Sequence, residues 1–414
     1  MPPTAVRASA ERTNQRNAVL AGFFGWTLDA FDFFILTLVL DDVAAAFGKT
    51  RPEIALAITL TLAMRPVGAV VFGLMADHYG RRLPLMLNVV LYAIISVLCG
   101  LAPSYGVFIA LRMLFGVAMG GEWGVGASLA LEWAPPRIRG LLSGVLQEGY
   151  AIGNLLAALA FLTIYPVANA YSPGNGWRVM FFIGGLPALL SLFIRARVKE
   201  PEAWHEHRMD WASYRRSMLQ HWRRFLYLVV LMAMMNFMSH GTQDMYPTLL
   251  GTLGYSKARI ADITMLSMVG AVLGGLVFGH YSDRRGRRRA MATAAICALV
   301  VVPFWIAGLS PVTTLVGVFL MQFFVQGAWG VIPAHINELS PGSLRGFFPG
   351  FAYQLGVLCA SSIPYVESSL GEMFSYRQSM GLLMTGVFIV GVIVICAGPE
   401  ARGASFRKAD SPPA

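Results

Sequence analysis

The stretch Val71-Phe72-Gly73-Leu74-Met75-Ala76-Asp77-His78-Tyr79-Gly80-Arg81-Arg82 decides the fold because the chain writes it twice. Val277-Phe278-Gly279, Asp283, Gly286, Arg287 and Arg288 repeat it 206 residues later. The same offset relates Gly121, Trp123 and Gly124 to Gly327, Trp329 and Gly330. It also relates Glu132, Pro135, Arg139 and Gly140 to Glu338, Pro341, Arg345 and Gly346. Three separated motifs sharing one offset mark an internal duplication. The chain is therefore two homologous halves.

Working outward, each motif sits at the end of a long apolar run. The 414 residues are 56% hydrophobic and 13% charged, against about 25% charged in a soluble domain. Runs near 17–40, 53–76, 84–102, 106–133, 141–168, 178–195, 225–250, 258–281, 290–309, 312–338, 347–368 and 378–397 each approach the roughly 20 residues needed to cross a bilayer. These twelve runs, counted below as spans 1 to 12, predict an all-α integral membrane protein with six spans per half. A soluble core has no need of a dozen such helices.

Of the 32 Lys and Arg residues, only Lys49, Arg51, Arg178, Lys257, Arg259 and Arg377 fall between spans on the face opposite the N-terminus. Arg65 and Arg112 lie inside spans, and all the others share the N-terminal face. The positive-inside rule then places both termini in the cytoplasm. The net charge of +10 is topological, and no nucleic-acid partner follows from it. The expected organisation is a cytoplasmic N-terminus (1–16), a first half (17–195), a linker (196–224), a second half (225–397) and a cytoplasmic tail (398–414). Cys99, Cys297, Cys359 and Cys396 lie in apolar runs without paired or metal-type spacing and read as packing residues. Asp41-Asp42 before Ala44–Ala46 faintly imitates a signal-peptide end, but the preceding run is long and holds two acids, so it reads as an uncleaved first span.

The duplicated loops have a mechanical reading. Gly73 and Gly279 permit close helix approach, while Asp77 and Asp283 can accept from the cations that follow Gly80 and Gly286. Arg81, Arg82, Arg287 and Arg288 would then latch the inner helix ends together. Glu132 with Arg139 and Glu338 with Arg345 extend the cluster at the ends of spans 4 and 10. A plain stop-transfer cluster explains the arginines, but not the acids, the glycines or the duplication. Two six-span halves, a charged linker and a Gly-x-x-x-Asp-x-x-Gly-Arg-Arg loop in each half resemble the major facilitator superfamily of secondary transporters. The resemblance covers residues 17 to 400 and implies alternating access, the halves rocking about a site near mid-membrane.

Ionisable residues inside spans cost several kcal/mol unless paired or hydrated, so each is a functional candidate. Asp29 and Asp32 share one face of span 1, Arg65 lies in span 2, Arg112 and Glu122 in span 4, and Glu148 in span 5. Asp29 and Arg65 each fall about 12 residues into their spans, near 18 Å deep. Asp29–Arg65 and Asp32–Arg112 pairs are therefore expected. Protonating such a carboxylate would release its arginine to bind an anion, the coupling that a proton–carboxylate symporter requires. The plainer reading is that such pairs only fasten helices.

Span 7 reads Asn236-Phe-Met-Ser239-His240-Gly-Thr242-Gln243-Asp244-Met-Tyr-Pro-Thr248. This resembles the signature of the lactate and sialic acid proton symporters, as does Gly25-Trp26 through Asp29-Ala-Phe-Asp32. The resemblance implies substrate or proton handling by Asn236, His240, Gln243 and Asp244. Helical spacing independently sets Asn236, His240 and Asp244 on one stripe. In the second half, Gln326, Tyr353 and Gln354 are candidate neutral contacts, or interhelical glue.

Bacterial sialic acid carriers of that group tend to carry extra mid-chain helices, and the linker here has none, which favours lactate or pyruvate. Two intramembrane arginines favour an anion over a sugar. Sialic acid, an aromatic acid, a dicarboxylate or a sugar remain alternative substrates. No phosphate loop, metal cluster or catalytic triad spacing appears, so the expectation is a non-enzymatic monomer of the plasma membrane. It binds a small organic anion and a proton, is embedded in lipid, needs no cofactor and draws on the proton gradient.

Overall fold

The structure, a computed structural model, describes residues 3–207, 210–244, 246–363, 366, 369–370 and 373–406. Every regular element among them is a helix. Eleven helices are long and apolar enough to cross a membrane: Glu11–Leu38, Arg51–Tyr79, Arg82–Leu101, Tyr105–Trp133, Pro136–Tyr171, Gly176–Arg197, Trp222–Thr252, Arg259–Arg285, Arg287–Ala307, Pro311–Leu339 and Tyr376–Ala397. Span 11 is represented by the shorter apolar helix Phe348–Ala360. Part of its expected continuation to 368 lies outside the described residues.

Several spans are interrupted, and each interruption has a local cause. Span 4 breaks at Gly121, between Tyr105–Gly120 and Glu122–Trp133. Span 5 breaks at Glu148, between Arg139–Gln147 and Gly149–Thr163. The glycines at these joints weaken the helix. In span 7 the helix Trp222–Gln243 gives way to Tyr246–Thr252. Pro247 there sits in the first turn, where its missing N–H costs nothing. A broken helix inside a membrane is tolerated where it lines a cavity or is buried in protein, and Glu122, Glu148 and Asp244 all stand at such breaks.

Repeat-related helices pack alike. Span 1 lies on span 5 and span 2 on span 4, as span 7 lies on span 11 and span 8 on span 10. The halves meet where span 5 crosses span 8 and span 2 crosses span 11. Glycines line this seam: a Cβ on Gly124 would lie 2.5 Å from the Gly350 Cα, and one on Gly279 would lie 2.6 Å from the Gly140 carbonyl. Outward, Leu155, Leu159 and Leu162 of span 5 and Val300 and Phe304 of span 9 are more than half exposed, the face a helix shows to lipid. The first helix and the chain's tail meet at the latch end, where Glu11, Arg12, Gln15, Arg139, Gly403 and Phe406 line a cavity of about 740 Å³.

Candidate functional site

The two signature loops build one quasi-symmetric latch. Gly80 (φ +104°) and Gly286 (φ +101°) turn the chain in a region that favours glycine. The turns bring Arg81 back to Asp77 at 2.7 Å and Arg287 back to Asp283 at 2.7 Å. Each aspartate also reaches into the opposite half. Asp77 accepts from the Gly346 and Phe347 amides at 2.6 and 3.1 Å, and Asp283 from those of Gly140 and Leu141 at 2.7 and 2.9 Å. Oxygens that accept backbone amides at the start of a helix complement its dipole.

The neighbouring acids do not pair along their own stretch, Glu132 with Arg139 or Glu338 with Arg345; each takes one arginine from its own half and one from across the seam. Glu132 binds Arg81 at 3.0 Å and Arg345 at 3.5 Å. Glu338 binds Arg287 at 2.9 Å and Arg139 at 3.0 Å. Every one of these side chains is at most 5% exposed. The third contact of the latch falls off the 206-residue offset, with Glu200 and Glu400 in place of a repeated pair. Glu200 accepts from the Arg81 amide and, at 3.1 Å, from that of Arg82, while Glu400 accepts from the Arg288 amide at 2.9 Å. Burial holds the Glu200 carboxyl above its usual range, and the two amides and Arg81 oppose this.

Between the halves lies a cavity of about 230 Å³. Glu148, Asn236, His240, Gln243, Asp244, Gln326 and Tyr353 line it, so seven of the thirteen substrate or proton candidates come together. Trp26, Phe34, Gln147, Tyr150, Asn154, Ser239 and Trp329 complete most of the wall. His240 approaches Asp244 at 3.1 Å, and both are about two-fifths exposed. Gln243 donates to Gln322 at 2.8 Å, and Gln326 to Ser239 at 3.0 Å. The Asn236 amide turns back on its own helix, donating to the Met232 carbonyl at 2.8 Å. Trp26 stacks on Tyr150 with centroids 5.6 Å apart, and Tyr353 stands edge-on to Trp26 and Trp329.

The other six candidates lie behind this wall. Gln354 donates to the Gly120 carbonyl at 3.2 Å. Asp29, Asp32, Arg65, Arg112 and Glu122 form a buried group within the first half, each at most 4% exposed. The expected Asp29–Arg65 and Asp32–Arg112 ion pairs are not formed. Asp32 instead accepts from Ser96 at 2.7 Å. Arg112 lies over the Phe115 ring at 4.2 Å, and Arg65 lies 5.9 Å from the Trp26 ring and 5.8 Å from that of Tyr353. Aromatic faces attract these cations in place of carboxylates. Neither carboxylate oxygen of Asp29 or Glu122 meets a hydrogen-bond partner among the described residues. Similar depth along the spans places these groups in one layer but does not fix their azimuth about the helix axes.

Two known families match the chain. The family described as "Sugar (and other) transporter" matches residues 17–209, and that described as "Major Facilitator Superfamily" matches residues 226–413. This chain is a major facilitator superfamily transporter. The transporter is 28% identical to a carboxylic acid transporter protein homolog of Saccharomyces cerevisiae, over 93% of this chain and 68% of that one. It is 26% identical to the sialic acid transporter NanX of Escherichia coli, over 95% of this chain and 96% of that one. Among solved structures it superposes on the proton:xylose symporter XylE with a TM-score of 0.76 at 18% identity, covering 96% and 98%, a likeness of fold. The transporter is a multi-pass membrane protein that moves a small molecule across the bilayer and is not an enzyme.

Proposed function

We propose that the transporter carries a small organic anion together with protons, and that the central cavity is its binding site. One observation carries this reading. Among the described residues that line the cavity, the carboxylates and imidazole are those of Glu148, His240 and Asp244, with no arginine. An incoming carboxylate therefore meets two acids and a histidine. It is repelled while the acids are charged and is offered hydrogen-bond donors once they and His240 take up protons. Binding of anion and proton is then obligatorily linked, and no cofactor is required beyond the gradient.

The buried acids Asp29, Asp32 and Glu122 serve as the first half's proton relay, with Arg65 and Arg112 as fixed counter-charges and with Tyr353 and Trp26 between Arg65 and the cavity. Asn236, Gln243, Gln326 and Gln354 supply neutral contacts or position the helices that make them. The latch is the inner gate, facing the cytoplasm as the Lys and Arg bias requires, and it opens and closes as the two halves rock in a monomer of the plasma membrane.

The relatives named for carboxylic and sialic acids support an acid as substrate. Lactate and pyruvate remain the first choice for a monocarboxylate. The missing mid-chain helices do not weigh against sialic acid, because this chain spans 96% of NanX. The aromatic wall of Trp26, Tyr150, Trp329 and Tyr353 favours a second reading, a flat unsaturated or aromatic acid that stacks on it.

The test is uptake of labelled lactate, pyruvate, sialic acid and benzoate into proteoliposomes, with and without an inward proton gradient. Gradient-dependent accumulation of any one supports the proposal and selects its class. Equal uptake with and without the gradient contradicts proton coupling.

A further inference from the structure

The tail after span 12 packs into the latch end of the molecule. Phe406 is 4% exposed. The Arg139 guanidinium lies over its ring at 3.7 Å and that of Arg345 at 3.9 Å. These two arginines are repeat equivalents, one from each half, so a single ring bridges the two sides of the molecule. The neighbouring backbone reinforces it: Arg139 donates to the Ala404 carbonyl at 2.9 Å, and the Gly403 amide to Glu338 at 3.4 Å.

The linker holds the other side of the latch. Trp204 donates to the Asp77 carbonyl at 2.9 Å, and Tyr214 to the Asp77 carboxylate at 3.1 Å. The chain thus applies one strap after each half, and the second ends in an aromatic key.

We propose that Gly403–Phe406 is a built-in clamp that holds the inner gate shut. Its contacts require the Arg139 and Arg345 guanidiniums to lie no more than about 8 Å apart, each within 4 Å of the ring centroid, a closeness that is lost when the inner ends separate. Rocking the halves apart strips the ring from at least one guanidinium. Cation–π attraction is strongest when desolvated, as it is here. The clamp therefore favours the closed inner end and sets how often the gate opens. This rests on reading the latch as a gate, but it needs no assumption about substrate.

Hydrogen exchange read by mass spectrometry on the full chain in lipid nanodiscs tests it without substrate. The reporters are peptides holding the Gly140–Leu141 and Gly346–Phe347 amides, which bind Asp283 and Asp77 across the seam. Phe406→Leu keeps an apolar side chain but loses the ring, and it should speed exchange in both peptides about thirtyfold, the scale of one desolvated cation–π contact. Phe406→Tyr should leave both unchanged. Unchanged exchange in Phe406→Leu would overturn the clamp. So would a rise that extends equally to Tyr246–Thr252 at the far end of span 7, because the ring would then support the whole fold and not the gate.

Discussion

Asp77 does at one point what the latch does as a whole. Its carboxylate takes two amides from the start of span 11, the Arg81 guanidinium and the Tyr214 hydroxyl. Asp77→Ala leaves two buried amides unsatisfied, at roughly 1–3 kcal/mol for each group stranded. The expected result is a lower melting temperature in detergent and a greater fraction of protein open at the inner end. Unchanged melting would mean that the amides find other partners. The Glu148 carboxyl stands alone in the cavity wall by comparison, its side chain in no ion pair or hydrogen bond among the described residues. Glu148→Gln preserves its shape and removes its proton. That variant should still exchange labelled for unlabelled substrate at equilibrium while losing accumulation against a gradient. If accumulation persists in Glu148→Gln, the proton rides elsewhere.

At the scale of the helix, the seam depends on side chains that are not there. Gly124 meets Gly350, and Gly140 and Gly144 meet Gly279 and Gly275. Without a hydrophobic drive between helices in lipid, such close packing supplies the association. Gly124→Val should therefore insert into the membrane normally yet lose most uptake and melt earlier. Normal uptake would show that spans 4 and 11 can separate at that point.

The helices also show where sequence reading succeeds and where it stops. Apolar runs and the 206-residue offset place the spans and the latch residues, because hydropathy and duplication are properties of the chain itself. The helix breaks at Gly121 and Glu148 are not legible from hydropathy, which averages over them. The pairing of Arg112 is likewise out of reach. A depth estimate gives height along a helix, whereas its choice of Phe115 over Asp32 depends on rotation about the helix axis. Phe406 carries no motif at all, and its role emerges only when two arginines 206 residues apart converge on one ring.

For the whole molecule, the quasi-symmetry of the latch contrasts with the asymmetry of the interior. Asp77 and Asp283, Glu132 and Glu338, and Arg345 and Arg139 are matched across the halves. The buried group of Asp29, Asp32, Arg65, Arg112 and Glu122 belongs to the first half alone, while His240 and Asp244 come from the second. Symmetric gates with asymmetric contents suit a carrier whose halves move alike but divide the labour of binding. The measurement that tests this most directly is external pH, recorded with a dye when lactate or another accepted acid is added to proteoliposomes at equal pH on both sides. Obligatory coupling predicts that the outside turns alkaline in step with uptake, and that Glu148→Gln abolishes the pH change. Uptake of the acid with no change in external pH would contradict it.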